Sequence, residues 1–214
     1  MNSQTEKLSL RGEAGVIEAQ RDAGVSGVPA SGTVVIAHPH PLFAGTMDNK
    51  VVQTLARAFV ASGWTAVRFN FRGVGASEGT HDEGRGETTD LLAVVQQVAP
   101  EGPLAIAGFS FGAFVALNAV QSLWDVRDIS RIALVGPSVA RVVPPALPEA
   151  AHERTLIVHG EADDTVALSA VMDWARPQSL PVTVVPGGGH FFHGQLPLLK
   201  QLVVRHLRPD FRPD

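Results

Sequence analysis

The 214-residue chain contains no cysteine, which removes disulfides, a thiolate nucleophile and Cys-ligated metals from consideration. It has no apolar run near the length of a membrane span. Its opening residues, "MNSQTEKLSLRGEAG", lack the apolar core of a signal peptide. The expectation is therefore a cytoplasmic protein with no membrane partner, and it rests on absences. Lys and Arg are scattered rather than clustered, and the net charge is -4, which argues against nucleic acid as a partner. No internal repeat and no linker rich in Pro, Gly or Ser divides the chain, so one domain over residues 1–214 is expected, as a monomer or homodimer. Hydrophobic residues at 45% and charged residues at 18% are what a folded chain of this length needs to bury a core.

What the chain does have is a rhythm. "KLSLRGEAGVIEAQRD" alternates on both sides of Gly12–Gly15 and reads as a hairpin. Short apolar runs follow at 33–37, 65–71, 103–109, 131–136, 155–160 and 182–187. Between them lie helix-period segments at 49–62, 88–99, 112–123, 167–175 and 193–207. Strands alternating with helices predict an α/β fold, a mostly parallel sheet with helices on both faces. Ligands in such folds sit at the carboxyl ends of the strands.

"AIAGFSFGAFVAL" places Gly108-Phe109-Ser110-Phe111-Gly112 between an apolar strand and an apolar helix. This G-x-S-x-G turn is tight enough to demand glycine on both sides, and it lifts a serine above the sheet at a helix N-terminus. The competing reading is a Gly-rich packing turn with an idle serine. A serine hydroxyl needs a base, and the base needs an orienting carboxylate. "TLIVHGEADDTV" offers Asp163 and Asp164 just past one strand, and "VTVVPGGGHFFHG" offers His190 and His193 just past the next. Asp163 is preferred because it closes a G-x-x-D turn, while Asp164 can cap the helix near Val166. His190 is preferred because three glycines before it leave its loop unobstructed. His193 is expected at or in the first turn of the final helix.

With these residues in view, the chain resembles the α/β-hydrolase superfamily, and within it the small lidless bacterial serine hydrolases of carboxylesterase type. The resemblance rests on the blocks "HPHP" (38–41), "MDNK" (47–50), "NFRGVGASEG" (70–79), "GFSFG" (108–112) and "HFFHG" (190–194). It implies an α/β-hydrolase fold with about eight strands, an N-terminal hairpin and no cap domain. It also implies a triad of Ser110, Asp163 and His190, in the chain order of that fold. The loop after the third strand, "HPHPLFAG", then supplies one of two N–H donors to the oxyanion, and Phe111 supplies the other. Prolines 39 and 41 carry no N–H, so within 39–42 only His40 and Leu42 can donate. Leu42 is the first choice and His40 the second. His38 and His40 also admit a metal pair or a turn without chemistry. Neither a Cys set nor an HExxH motif accompanies them.

Segment 136–155 is too short for a helical lid, which implies an open site. Phe43 and Phe191 are candidate substrate contacts, equally readable as core. In the loop 72–86, with its five glycines, Arg72, Glu78 and Asp82 can anchor the chain. Ser77 or His81 can touch substrate, or the whole loop can be solvated. The sequence thus predicts a cofactor-free serine hydrolase, with no metal, acting on a small-molecule ester or thioester. Amide or peptide cleavage uses the same constellation, and a binding module on the same fold is the rival from another class.

Overall fold

A computed structural model describes residues 5–24 and 31–208. The expected hairpin is β1 (Thr5–Gly12) and β2 (Gly15–Asp22), and six further strands follow: β3 (Gly32–Ala37), β4 (Trp64–Phe69), β5 (Leu104–Phe109), β6 (Ile129–Val135), β7 (Thr155–Gly160) and β8 (Thr183–Val185). They form one eight-stranded sheet in the order β1-β2-β4-β3-β5-β6-β7-β8. β1 pairs antiparallel with β2, and β2 antiparallel with β4. The pairs from β4 through β8 are parallel.

Helices α1 (Lys50–Ala61), α2 (Arg85–Val98), α3 (Phe111–Leu123), α4 (Leu168–Ala175) and α5 (Leu196–His206) cover the sheet. Period-2 alternation decides which side each strand residue feeds. Val35 and Ala37 join the core under α2, α3 and α4, whereas Val34 and Ile36 join the core under α1 and α5. Strand β5 is buried at every position, as a central parallel strand should be. The apolar stripe of α1 buries Val51, Val52, Leu55 and Phe59, each worth roughly 1.5–3 kcal/mol when fully removed from water. Asn49 starts that helix by accepting from the Val51 N–H at 2.9 Å.

Three of the boundaries that differ from the sequence reading have a local cause. β4 stops at Phe69, because Asn70 turns its side chain to the loops, accepting from Met47 N–H at 2.9 Å and donating to Glu18 at 2.8 Å. α2 starts three residues earlier than 88, since buried Glu87 folds back to accept the Gly84 N–H at 2.8 Å. α5 starts at Leu196, which leaves His193 in the preceding turn rather than in the helix. Segment 136–154 holds one short 3-10 turn, Glu149–Arg154, and no α-helix. Among the described residues, no helix is long and apolar enough to cross a membrane.

Candidate active site

Ser110 follows directly on β5 and precedes α3. Its backbone sits at φ 56°, ψ -117°, a sparsely populated conformation that costs on the order of 1–3 kcal/mol. The surroundings hold it there. Its N–H donates to Val135 O at 2.9 Å, and its carbonyl accepts from Ser138 N–H at 3.2 Å. The flanking glycines are required by contact: a Cβ on Gly108 would lie 2.3 Å from Gly112 O, and one on Gly112 would lie 2.3 Å from Ala37 O. The elbow is thus packed against the end of β3, where the His38–Leu42 loop begins.

His190 arrives from the loop after β8, across glycines 187 and 189, at which an added Cβ would meet nothing within 4 Å. Its Nε2 accepts from Ser110 Oγ at 2.9 Å, and its Nδ1–H donates to Asp163 Oδ2 at 2.7 Å. All three residues are buried. Asp163 lies in the turn after β7, and its other oxygen accepts the N–H groups of Thr165 (2.9 Å) and Val166 (2.8 Å). Burial alone would raise this carboxyl. The hydrogen bond from His190, the Val166 N–H, the His190 charge and the Thr165 N–H outweigh burial and lower it, so it is ionised at neutral pH. Asp164 does not cap α4; the N-cap is Ala167, without a side-chain hydrogen bond.

Behind Asp163 stands His159, fully buried. Its Nε2–H donates to Val166 O at 2.9 Å and lies 3.5 Å from Asp163 Oδ2. Its Nδ1 has no partner among the described residues. Burial above all lowers its pKa, with the His190 charge adding to that and the Val166 carbonyl and Asp163 opposing it. His159 is therefore a neutral brace for the carboxylate. The sequence signal for it was a single polar residue inside the apolar run "TLIVHG".

The prolines of "HPHP" set the next loop. His38 is buried, its Nδ1–H donating to Pro39 O at 2.6 Å and its Nε2 accepting from Phe71 N–H at 3.0 Å. Both nitrogens serve backbone, so this histidine ties the β3 loop to the β4 loop. Its pKa is lowered from 6.5 to about 4, chiefly by burial, against the opposing effects of Pro39 O and Glu87. A folded-state value below the unfolded one makes the unfolded chain bind more protons between those limits. The His38 contribution to stability is complete above about pH 6.5 and is lost as the pH falls toward about pH 4. It amounts to on the order of 3 kcal/mol. Urea unfolding across that window should show wild type losing stability more steeply than His38→Gln; equal slopes would refute the assignment.

His40 has φ -54° and accepts the Leu42 N–H on its ring Nδ1 at 3.3 Å. Its carbonyl accepts from Phe43 and Gly45, each at 3.1 Å. The Leu42 N–H is thus engaged, whereas the His40 N–H has no acceptor among the described residues. The His40 ring packs on Phe111 at 4.7 Å and on His81 at 4.8 Å. Burial first, then the nearby His81 and Arg141 charges, lower its pKa against the pull of Glu87. The Phe111 N–H is the first of α3 and has no acceptor in its own helix.

A cavity of about 870 Å³ opens beside this elbow, lined in part by His40, Phe43, His81, Phe111, Phe114 and Arg141. Phe43 is an exposed wall residue rather than core. Phe191 is not a wall residue: its ring packs against those of His190 (5.1 Å) and Phe109 (5.8 Å), because Phe192, with φ 51°, takes the core position and leaves Phe191 at the surface. Of the 72–86 loop, Ser77 turns inward, donating to Asn70 O at 2.7 Å and accepting from Glu18 N–H at 2.9 Å. Arg72 holds Asp90 through two hydrogen bonds at 2.8 Å, Glu78 accepts from Val16 N–H at 2.6 Å, and Asp82 accepts from Gly86 N–H at 3.1 Å. His81 reaches the cavity, as do Glu83, Gly84 and Arg85, and its Nδ1 is paired with fully buried Glu87 at 2.7 Å.

This eight-stranded sheet, with a serine on a strained turn above a central strand, is the architecture of the α/β hydrolases of serine type. More narrowly, the family described as serine aminopeptidase, S33, matches over residues 30–155, and the chain belongs to it. That stretch includes Ser110, while Asp163 and His190 lie beyond it. An α/β serine hydrolase without a lid from Xanthomonas campestris is 34% identical, with TM-score 0.84, over 100% of this chain and 99% of that one. An α/β serine hydrolase homologue from Coxiella burnetii is 38% identical, with TM-score 0.82, over 95% and 97%. An uncharacterised protein of Rickettsia prowazekii (strain Madrid E) is 30% identical over 205 residues, 87% of this chain and 82% of the relative. The chain is thus a serine-hydrolase-like α/β hydrolase.

Proposed function

We propose that the protein cleaves carboxylic esters or thioesters of small to medium size through an acyl-enzyme formed on Ser110. The observation that carries this reading is the unbroken hydrogen-bond chain from Ser110 Oγ through His190 to Asp163, at 2.9 and 2.7 Å. Ser110 Oγ attacks the carbonyl carbon while its proton passes to His190 Nε2. Asp163 stabilises the imidazolium that results. The carbonyl oxygen becomes an oxyanion, received by the N–H groups of Phe111 and His40. The intermediate collapses by expelling the alcohol or thiol, which takes the proton from His190. Water repeats the sequence, releasing the acid and restoring Ser110. This chemistry calls for no group beyond these residues. Labelling by a fluorophosphonate, read by intact mass, tests it: one adduct per chain supports the reading, and none on folded protein sinks it.

The second donor is testable by itself. Proline at position 40 fits the observed φ of -54° and deletes only the N–H and the imidazole. His40→Pro is expected to lose about 10²–10³ in kcat, while His40→Ala, which keeps the N–H, loses far less. Equal losses in the two variants would return the role to Leu42.

Peptide or amide cleavage, which the family description suggests, would use the same triad. An aminopeptidase must also hold a free ammonium group, and that calls for an available carboxylate on the cavity wall. Glu83 is the carboxylate there, and it lies 3.8 Å from Arg85; Glu87 is spent on His81 and two N–H groups. An aminoacyl p-nitroanilide assayed beside a p-nitrophenyl ester tests the choice: turnover of the ester alone supports the ester reading.

A further inference from the structure

The cavity follows one side of α3, from Phe111 and Phe114 to Asn118, Gln121 and Ser122. Phe111 and Ser122 are separated by about 16 Å of helix at the α-helical rise. Character changes along that line. Phe43, Phe111 and Phe114 present rings at the nucleophile end, whereas further along α3 the wall presents Asn118, Gln121 and Ser122. A wholly apolar chain reaching that end would strip water from amides and a hydroxyl without replacing it. A chain with a polar terminus would not.

The charges on the wall are unequal. Arg85 is engaged by Asp82 at 2.8 Å and by Glu83 at 3.8 Å, and His81 by Glu87 at 2.7 Å. Arg141 lines the same cavity and has no carboxylate partner among the described residues. It is three residues past Ser138, whose N–H holds the carbonyl of Ser110 at 3.2 Å, so extended chain keeps its backbone within about 10 Å of that anchor. Its charge is felt at His40, whose ring lies 4.7 Å from that of Phe111. Arg141 is thus the guanidinium on this wall that no carboxylate engages among the described residues.

We propose that the cavity selects esters whose apolar stem ends in an anionic group, a carboxylate or a phosphate monoester, and that Arg141 reads that charge. The substrate class rests on the serine hydrolase reading; the charge preference rests on the cavity. The phenylalanine rings take the stem, and the guanidinium meets either anion with paired N–H donors.

Three p-nitrophenyl esters of equal chain length, ending in carboxylate, phosphate or methyl, test the idea. The better of the two anionic esters is expected to show a KM about tenfold below that of the methyl-terminated one, an advantage that shrinks as salt is added. Comparing the carboxylate and phosphate arms identifies the favoured anion. Arg141→Gln should bring the ratio of KM values close to one, with Arg141→Lys retaining part of it. Equal KM for all three esters on wild type, or a ratio unchanged in Arg141→Gln, overturns the proposal. Calorimetry on Ser110→Ala, with suberic acid monomethyl ester against dimethyl suberate, measures charge preference without chemistry. Charge-selective binding with no ester turned over by wild type would sink the hydrolase reading and leave the anion site standing. Turnover without charge preference would do the reverse.

Discussion

Replacing Ser110 with alanine is expected to lower kcat by about 10⁶-fold and to abolish fluorophosphonate labelling, with the fold intact. The size of the loss follows from how the three side chains act. In the proposed mechanism His190 and Asp163 serve only to move the proton of one hydroxyl, so removing that hydroxyl idles both, and what survives is binding and the oxyanion donors. The fold should not suffer. Alanine keeps the Cβ, and the backbone contacts that hold residue 110, to Val135 O and Ser138 N, involve no side chain. Glycine separates chemistry from strain. At φ 56° a side chain is disfavoured, so Ser110→Gly should match alanine in lost activity and exceed it in thermal stability, by up to about 1–3 kcal/mol of released strain. Kinetics with a p-nitrophenyl ester and thermal melts of both variants check the two halves. An adduct on Ser110→Ala, or turnover above about one per cent of wild type, would place the nucleophile elsewhere.

The same residue explains why so much of the site was legible in the sequence. Ser110, Asp163 and His190 each follow a strand whose apolar run is bounded by glycine, and parallel pairing brings those strand ends to one edge of the sheet. Local pattern was enough to bring them together. The order of the strands was not local. β4 sits between β2 and β3, a placement set by crossover and packing rather than by any motif. The oxyanion loop lies between these cases. Two prolines narrowed the donor to two N–H groups, and the proposal of His40 over Leu42 turns on the His40 ring folding back onto Leu42 N, a rotamer that composition does not encode. Arg141 was hidden more deeply, and for His81 the sequence offered only a place beside Ser77 as a loop residue able to touch substrate. Arg141 and His81 meet at a cavity built from α2, α3 and the 136–145 segment, and such long-range packing has no period to read. Glu87 left a trace, since glutamate three residues after Gly84 is the spacing of a capping box, but glycine at the cap and Gly86 in the first turn disguised the start of α2.

Changing Asp163 to asparagine should cost about 10⁴-fold in kcat while leaving the turn after β7 in place. The argument is one of proton inventory. Asp163 Oδ1 accepts from Thr165 and Val166, and Oδ2 accepts from His190 Nδ1–H. An asparagine can keep its single oxygen on the two backbone N–H groups, and then its NH₂ must face His190. A donor there forces Nδ1 to give up its proton and Nε2 to carry one. Nε2 then faces Ser110 Oγ, 2.9 Å away, as a donor, and cannot take the hydroxyl proton. The shape survives and the tautomer is wrong. Asp163→Ala lacks this tautomer trap but loses the turn, so it should lower thermal stability more than asparagine does, since two N–H groups, that of Val166 buried, lose their acceptor. His159 sharpens the contrast, because its Nε2–H is 3.5 Å from Oδ2 and would face an NH₂ group instead of a carboxylate. Measuring kcat against pH for wild type and Asp163→Asn, with melts of both Asp163 variants, decides the matter. Asparagine with near-wild-type kcat would show that Asp163 only shapes the turn, and Asp164, one residue on and exposed, would then be the carboxylate to test.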